Sequence, residues 1–147
     1  MALFDSSHVI DGLGAADQNA VFEALAQKAV ELGVAQDASA IVADLHAREG
    51  EASTGFGAGV AIPHAKSRNV TSPSIVFARL DCAVEWNALD DAPVDTVINI
   101  LVPEGGNDTH LQLLARLARN LVHEDFVAKL KNDPIEDVCA LIQGVVG

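Results

Sequence analysis

His64 is the residue best placed for chemistry. It follows Thr54-Gly55-Phe56-Gly57-Ala58-Gly59-Val60-Ala61-Ile62-Pro63, a glycine-dense turn that leads into a short apolar segment. Glycines at alternate positions let the backbone take positive φ values and come close to another segment. Pro63 fixes φ, removes a backbone donor and biases Ile62 toward an extended conformation. The pattern therefore predicts a strand that ends by delivering His64 to a constrained place. Imidazole keeps a neutral, nucleophilic fraction near pH 7, so it can accept a reactive group and pass it on.

Two further residues have settings that suit such chemistry. His110 falls in the first turn of a helix that follows a strand and a loop, and in sheet-and-helix folds strand ends and helix starts converge on one ligand-binding edge. A helix N-terminus also welcomes anions, which fits a phosphoryl group, although an ordinary helix-start residue accounts for His110 equally well. Arg48 sits in the last turn of a helix just before the glycine run. It is either a solvated charge favourable to the helix dipole or a planar guanidinium that holds phosphate oxygens beside His64. His8, His46 and His123 lack comparable settings and read as surface or cap residues.

Other chemistries fit less well. The glycines at 55, 57 and 59 are out of register with G-x-G-x-x-G, no G-K-[ST] occurs, and a helix precedes the run where a nucleotide fold needs a strand. No close ligand pair or H-E-x-x-H spacing supports a metal, although His64, His110 and a cysteine leave a zinc site conceivable. No G-x-S-x-G elbow supports a hydrolase. The net charge of −12 and pI near 4.5 argue against a nucleic-acid partner. The 147 residues, half of them apolar, are the size of one domain. There is no apolar run long enough to span a membrane and no secretory pattern at the start, and Cys82 and Cys139 read as reduced core thiols. A cytoplasmic protein is expected, without membrane insertion.

Periodicity supplies the elements that position these residues. Val21, Phe22, Leu25, Ala26 and Ala29 predict a helix capped by Asp17 and closed by Gly33. A second helix fits Asp37 to Arg48, with Asp37 or Ser39 as cap, Ile41, Val42 and Leu45 inward and Gly50 as stop. Val60 to Ile62, Ser74 to Leu80 and Val94 to Val102 read as strands, Val84 to Trp86 as a short edge segment, and Ala65 to Pro73 as polar loop. After the loop at 104–108, Asp108 or Thr109 caps a helix whose expected apolar face is Leu111, Leu114, Ala115, Ala118, Leu121 and Val122. Helices from Glu124 to Lys131 and from Asp133, with Pro134 first, complete a sheet covered by helices.

The run Arg48 to His64, then Ala92-Pro93-Val94-Asp95, Val102-Pro103-Glu104 and His110-Leu111-Gln112-Leu113-Leu114-Ala115-Arg116-Leu117-Ala118, closely resembles the fructose/mannitol-type IIA domain of the bacterial phosphoenolpyruvate-dependent sugar phosphotransferase system. The resemblance covers most of the chain in order. It implies an α/β fold, a mixed β-sheet of about five strands flanked by helices on both faces in a single domain. It further implies a phosphohistidine at His64, with His110 as second active-site histidine and Arg48 beside the phosphoryl group, both supporting transfer by hydrogen bonding and charge. Such a domain takes the phosphoryl group from the carrier HPr and hands it to a IIB domain, usually to a cysteine. It serves a membrane IIC permease indirectly and uses no metal or organic cofactor. One departure stands out: many relatives carry asparagine where this chain has Ala58. A fructose-type sugar carrier is the favoured employment. The other is a nitrogen-type IIA regulator that binds partners according to the phosphorylation state of His64.

Overall fold

Two long strands rich in β-branched and aromatic residues form the centre of the molecule, β5 (Ser74–Val84) against β6 (Val94–Pro103) in antiparallel pairing. The computed structural model describes residues 3–105 and 109–146. Ahead of this pair in the chain come β1 (Val9–Leu13), α1 (Gln18–Glu31), α2 (Ala38–Glu49), β2 (Gly55–Gly57), β3 (Val60–Ala61) and β4 (His64–Ser67). After it come α3 (Thr109–Leu121), α4 (Glu124–Asn132) and α5 (Ile135–Val146). The sheet runs β1-β5-β6-β3-β2, and β4 lies on the same flank of β6 as β3. Pairing is parallel for β1–β5, β3–β6 and β4–β6 and antiparallel for β5–β6 and β2–β3, so the sheet is mixed.

Alternation along β6 divides the core in two. Val97 and Leu101 face Phe22, Leu25, Ile41 and Leu45 of α1 and α2. Ile98, Ile100 and Val102 face Leu113, Leu117, Leu130 and Ile142 of α3 to α5. Each large side chain fully buried in these layers contributes about 1.5–3 kcal/mol. The result is one α/β domain with helices on both faces, as expected. No helix among the described residues is long and apolar enough to cross a membrane.

Several helix ends follow the sequence closely. Asp17 accepts from the Ala20 N–H at 2.8 Å, Asp37 from the Ser39 and Ala40 N–H groups at 3.0 and 3.3 Å, and Gly33 follows α1 at φ +78°. The expected caps of α3 fare differently: Asp108 and the Thr109 side chain lie outside what is described.

Other expectations need correction. The sheet has six strands, three of which the sequence reading did not place: β1, β2 within the glycine turn, and β4 within the expected loop Ala65–Pro73, whose hydrogen-bond partner β6 lies far away in sequence. His64 therefore begins a strand instead of ending one. Val84 ends β5, and Trp86 lies beyond it with its indole buried. The inward stripe of α3 is Leu113, Leu117 and Leu121, while Leu111 and Val122 are exposed. Leu114 and Leu121 of the expected face do pack inward, Leu114 partly, so the face is rotated about the helix axis toward the i, i+4 series 113, 117 and 121. Cys139 is buried but Cys82 is exposed, so only one thiol is in the core. His8 is buried as well, with Nδ1 2.8 Å from the Ile75 carbonyl oxygen.

Candidate active site

Three segments deliver the site. Gly50 follows the last residue of α2, and Arg48 projects from that helix's final turn. Its Nε–H donates to His64 Nε2 at 3.1 Å, and Nη1 donates to the Ala52 carbonyl at 2.9 Å. The helix end, the following turn and the first residue of β4 are thereby joined through one guanidinium. Asp44, one helical turn before Arg48, accepts from Ser67 Oγ and from Asn69 Nδ2, tying α2 to the far end of β4.

The other imidazole nitrogen is also engaged. Nδ1 of His64 lies 2.9 Å from the Ile62 carbonyl oxygen, which can only accept, so Nδ1 carries the proton. Nε2 is left with its lone pair directed at Arg48. Burial holds the His64 pKa below its ordinary value near 6.5. The Ile62 carbonyl and Glu49 favour the imidazolium, while the charges of Arg48 and His110 oppose it. The net effect is a neutral, singly protonated ring near pH 7.

His64, Arg48 and His110 line one cleft of about 330 Å³ with Asp44, Glu51 and Lys66. His110 is half-buried, and its Nδ1 has no hydrogen-bond partner among the described residues. Neither cysteine lines this cleft. All three residues singled out from the sequence thus share a single polar depression. Its walls offer a nucleophilic nitrogen, a guanidinium and a second imidazole, a set suited to receiving an anionic group.

The glycine run lies outside the cleft lining, between Arg48 and His64 in the chain. A Cβ at Gly55 would stand 2.6 Å from Ala88 Cβ and 2.7 Å from Ala88 Cα, so the glycine permits a close passage past the 86–91 loop. The turn between β2 and β3 places Ala58 at φ +57° and Gly59 at φ +79°. Ala58 N–H donates to Asp90 Oδ2 at 3.0 Å. An asparagine at this position would tolerate left-handed backbone better than alanine does. Ala58→Gly should accordingly raise stability by roughly 0.5–1 kcal/mol. Chemical denaturation checks this, and a lower midpoint at unchanged slope would mean that the turn carries no strain.

Sequence reasoning missed several supports. Glu49 accepts from the Thr54 N–H and Oγ1–H at 2.7 and 2.6 Å, and Thr54 Oγ1 in turn accepts from Trp86 Nε1 at 3.1 Å. Asn99 Nδ2 donates to the Pro63 carbonyl at 3.0 Å. An asparagine inside the apolar run Val97–Val102 was a legible signal for the last of these; the Glu49–Thr54–Trp86 chain had none.

Comparison with known proteins adds an independent line. The family described as "Phosphoenolpyruvate-dependent sugar phosphotransferase system, EIIA 2" matches residues 2–144. A PTS system fructose-specific EIIA component of Haloferax volcanii is 40% identical over 129 residues, 85% of this chain and 84% of that protein. A nitrogen regulatory protein of Pseudomonas aeruginosa is 43% identical over 110 residues, 75% of this chain and 70% of that protein. The crystal structure of the nitrogen regulatory protein IIA-Ntr from Neisseria meningitidis superposes with a TM-score of 0.89 at 28% identity, covering 95% of this chain and 96% of that one.

Proposed function

The chain belongs to the EIIA type-2 family of the phosphoenolpyruvate-dependent sugar phosphotransferase system, and from that premise we propose that it carries a phosphoryl group on Nε2 of His64. One observation carries the reading: Nδ1–H is held by the Ile62 carbonyl, which leaves the Nε2 lone pair facing the cleft that Arg48 and His110 line. The donor is a phosphohistidine on HPr. The Nε2 lone pair attacks phosphorus, the P–N bond of the donor breaks, and its electron pair returns to the donor imidazole. Arg48 leaves Nε2 as the new bond forms and donates to the phosphoryl oxygens. His110 orients the group from the opposite element. The second half-reaction repeats the displacement with a nucleophile of a IIB partner, ordinarily a thiolate. No metal or organic cofactor takes part.

The favoured employment is the sugar branch, with a fructose-type IIB as acceptor, which the resemblance to the Haloferax protein supports. The Pseudomonas relative and the Neisseria structure favour a second reading, in which the phosphorylation state of His64 governs binding to a regulatory partner. Incubation with phosphoenolpyruvate, enzyme I and HPr, followed by intact mass, tests the common step, for which one acid-labile phosphoryl group is expected. Adding a fructose-type IIB should then discharge it. Retention of the group beside a IIB proven active on another IIA would favour the regulator.

The depressed pKa of His64 sets a pH dependence. A group whose pKa is lower in the folded chain is mostly neutral at pH 6.5 and becomes half protonated only at a lower pH. Phosphorylation by excess phospho-HPr should therefore fall to half its plateau rate only below pH 6.5, in step with His64 titration followed by NMR. Stability contributed by the neutral ring is present above pH 6.5 and is lost as pH falls through the folded value. A rate that halves above pH 6.5 would overturn this assignment.

A further inference from the structure

β3 and β4 keep one register against β6: Val60 and Ala61 stand opposite Thr96 and Val97, and His64 stands opposite Ile100. The offset is the same on both sides, so Pro63 falls opposite Asn99. Pro63 has no N–H, and the ladder breaks at this point. The backbone around the break is held by other means. The Ile62 carbonyl accepts from the His64 imidazole, and the Pro63 carbonyl accepts two hydrogen bonds, from Ile100 N–H and from Asn99 Nδ2, each at 3.0 Å.

Asn99 is fully buried, on the sheet face it shares with apolar Val97 and Leu101. Its Oδ1 makes no hydrogen bond among the described residues. Burying an amide with one end unsatisfied is unfavourable, and an aliphatic side chain would fill this layer without that cost. The contact it does make falls on the peptide that joins Pro63 to His64. That peptide is planar, so fixing its oxygen also fixes the His64 N–H and the position of the His64 Cα, from which the side chain departs.

We propose that Asn99 is a positioning residue for phosphoryl transfer: with Ile100 it clamps the Pro63–His64 peptide so that the imidazole keeps Nδ1 on the Ile62 carbonyl and presents Nε2 to the cleft. The proposal rests on the reading of His64 as phosphoryl acceptor. Asn99 acts through His64 and meets no reacting atom. A purely structural role would move stability alone; a positioning role moves the ring.

Asn99→Leu removes the donor and keeps the branched shape, with two methyl groups in place of the amide atoms. Long-range 1H–15N NMR of the His64 ring should then change from one Nδ1–H tautomer to a mixture. Single-turnover phosphorylation by phospho-HPr should slow about tenfold with the half-saturating donor concentration unchanged. Asn99→Ser, whose hydroxyl is too short to reach Pro63 and which adds no bulk, carries the same two measurements if the leucine variant does not fold. Either readout remaining at its wild-type value in a folded variant overturns the proposal, whatever happens to the melting temperature. If wild-type protein takes no phosphoryl group from active HPr, the functional reading fails, and the tautomer measurement alone decides whether Asn99 positions the ring.

Discussion

His64→Ala should take up no phosphoryl group from phosphoenolpyruvate, enzyme I and HPr under conditions that load the wild type fully. The substitution leaves Arg48 and His110 in the cleft but removes the nitrogen whose lone pair faces it. No neighbouring group replaces that function. His110 comes from the first turn of α3 and is not held by the Ile62 carbonyl. Loss of the nucleophile in group transfer removes the covalent route altogether, so the residual rate should be that of the mixture without this protein. Intact mass is the readout, and circular dichroism checks that the variant folds. Folding is readily retained, because His64 is half-buried at the start of an edge segment and its ring bonds, among the described residues, to one carbonyl and one guanidinium. A fully loaded His64→Ala protein would move the acceptor elsewhere, with His110 the first residue to examine.

The residues of this site were legible in the sequence to an uneven degree, and the reasons are physical. His64 was exposed by its local chain: glycines and a proline restrict backbone choice within a few residues, so their consequence can be read where they stand. Even there the geometry differed, since His64 begins β4. A four-residue segment containing Lys66 and Ser67 has little strand character of its own and is extended because β6 supplies its partners. Arg48 was placed correctly in a last helical turn, but its convergence with His64 depends on the tie from Asp44 to Ser67 and Asn69, which no spacing announces. In α3, leucines at 111, 113, 114, 117 and 121 permit two apolar stripes. Which one turns inward is decided by packing on the sheet, and the outcome leaves Leu111 exposed beside His110. The two sides of the sheet were foreseeable from strands between helical runs. The break at Pro63, and the buried asparagine opposite it, belong to tertiary register.

Arg48→Ala should slow both half-reactions by about 10²–10³-fold, the usual consequence of deleting one preorganised donor to developing negative charge. The guanidinium donates to His64 Nε2, the proposed attacking nitrogen, and is steadied by the Ala52 carbonyl. When Nε2 bonds to phosphorus, that acceptor disappears and phosphoryl oxygens take its place a bond further into the cleft. On the proposed reading the arginine is prepositioned for the transition state and need only slide from nitrogen to oxygen. Arg48→Lys keeps the charge but not the planar fork, so it should recover only part of the rate. A second signature separates this role from a helix-end charge. The Arg48 cation is one of the influences holding the His64 pKa down, so its removal should raise that pKa and move the acid limb of the rate profile to higher pH. Rapid-quench measurement across pH checks both. Unchanged rates with an unchanged profile would return Arg48 to a solvated charge at the end of α2, and a slower rate without the pH shift would mean that it acts on the phosphoryl group alone.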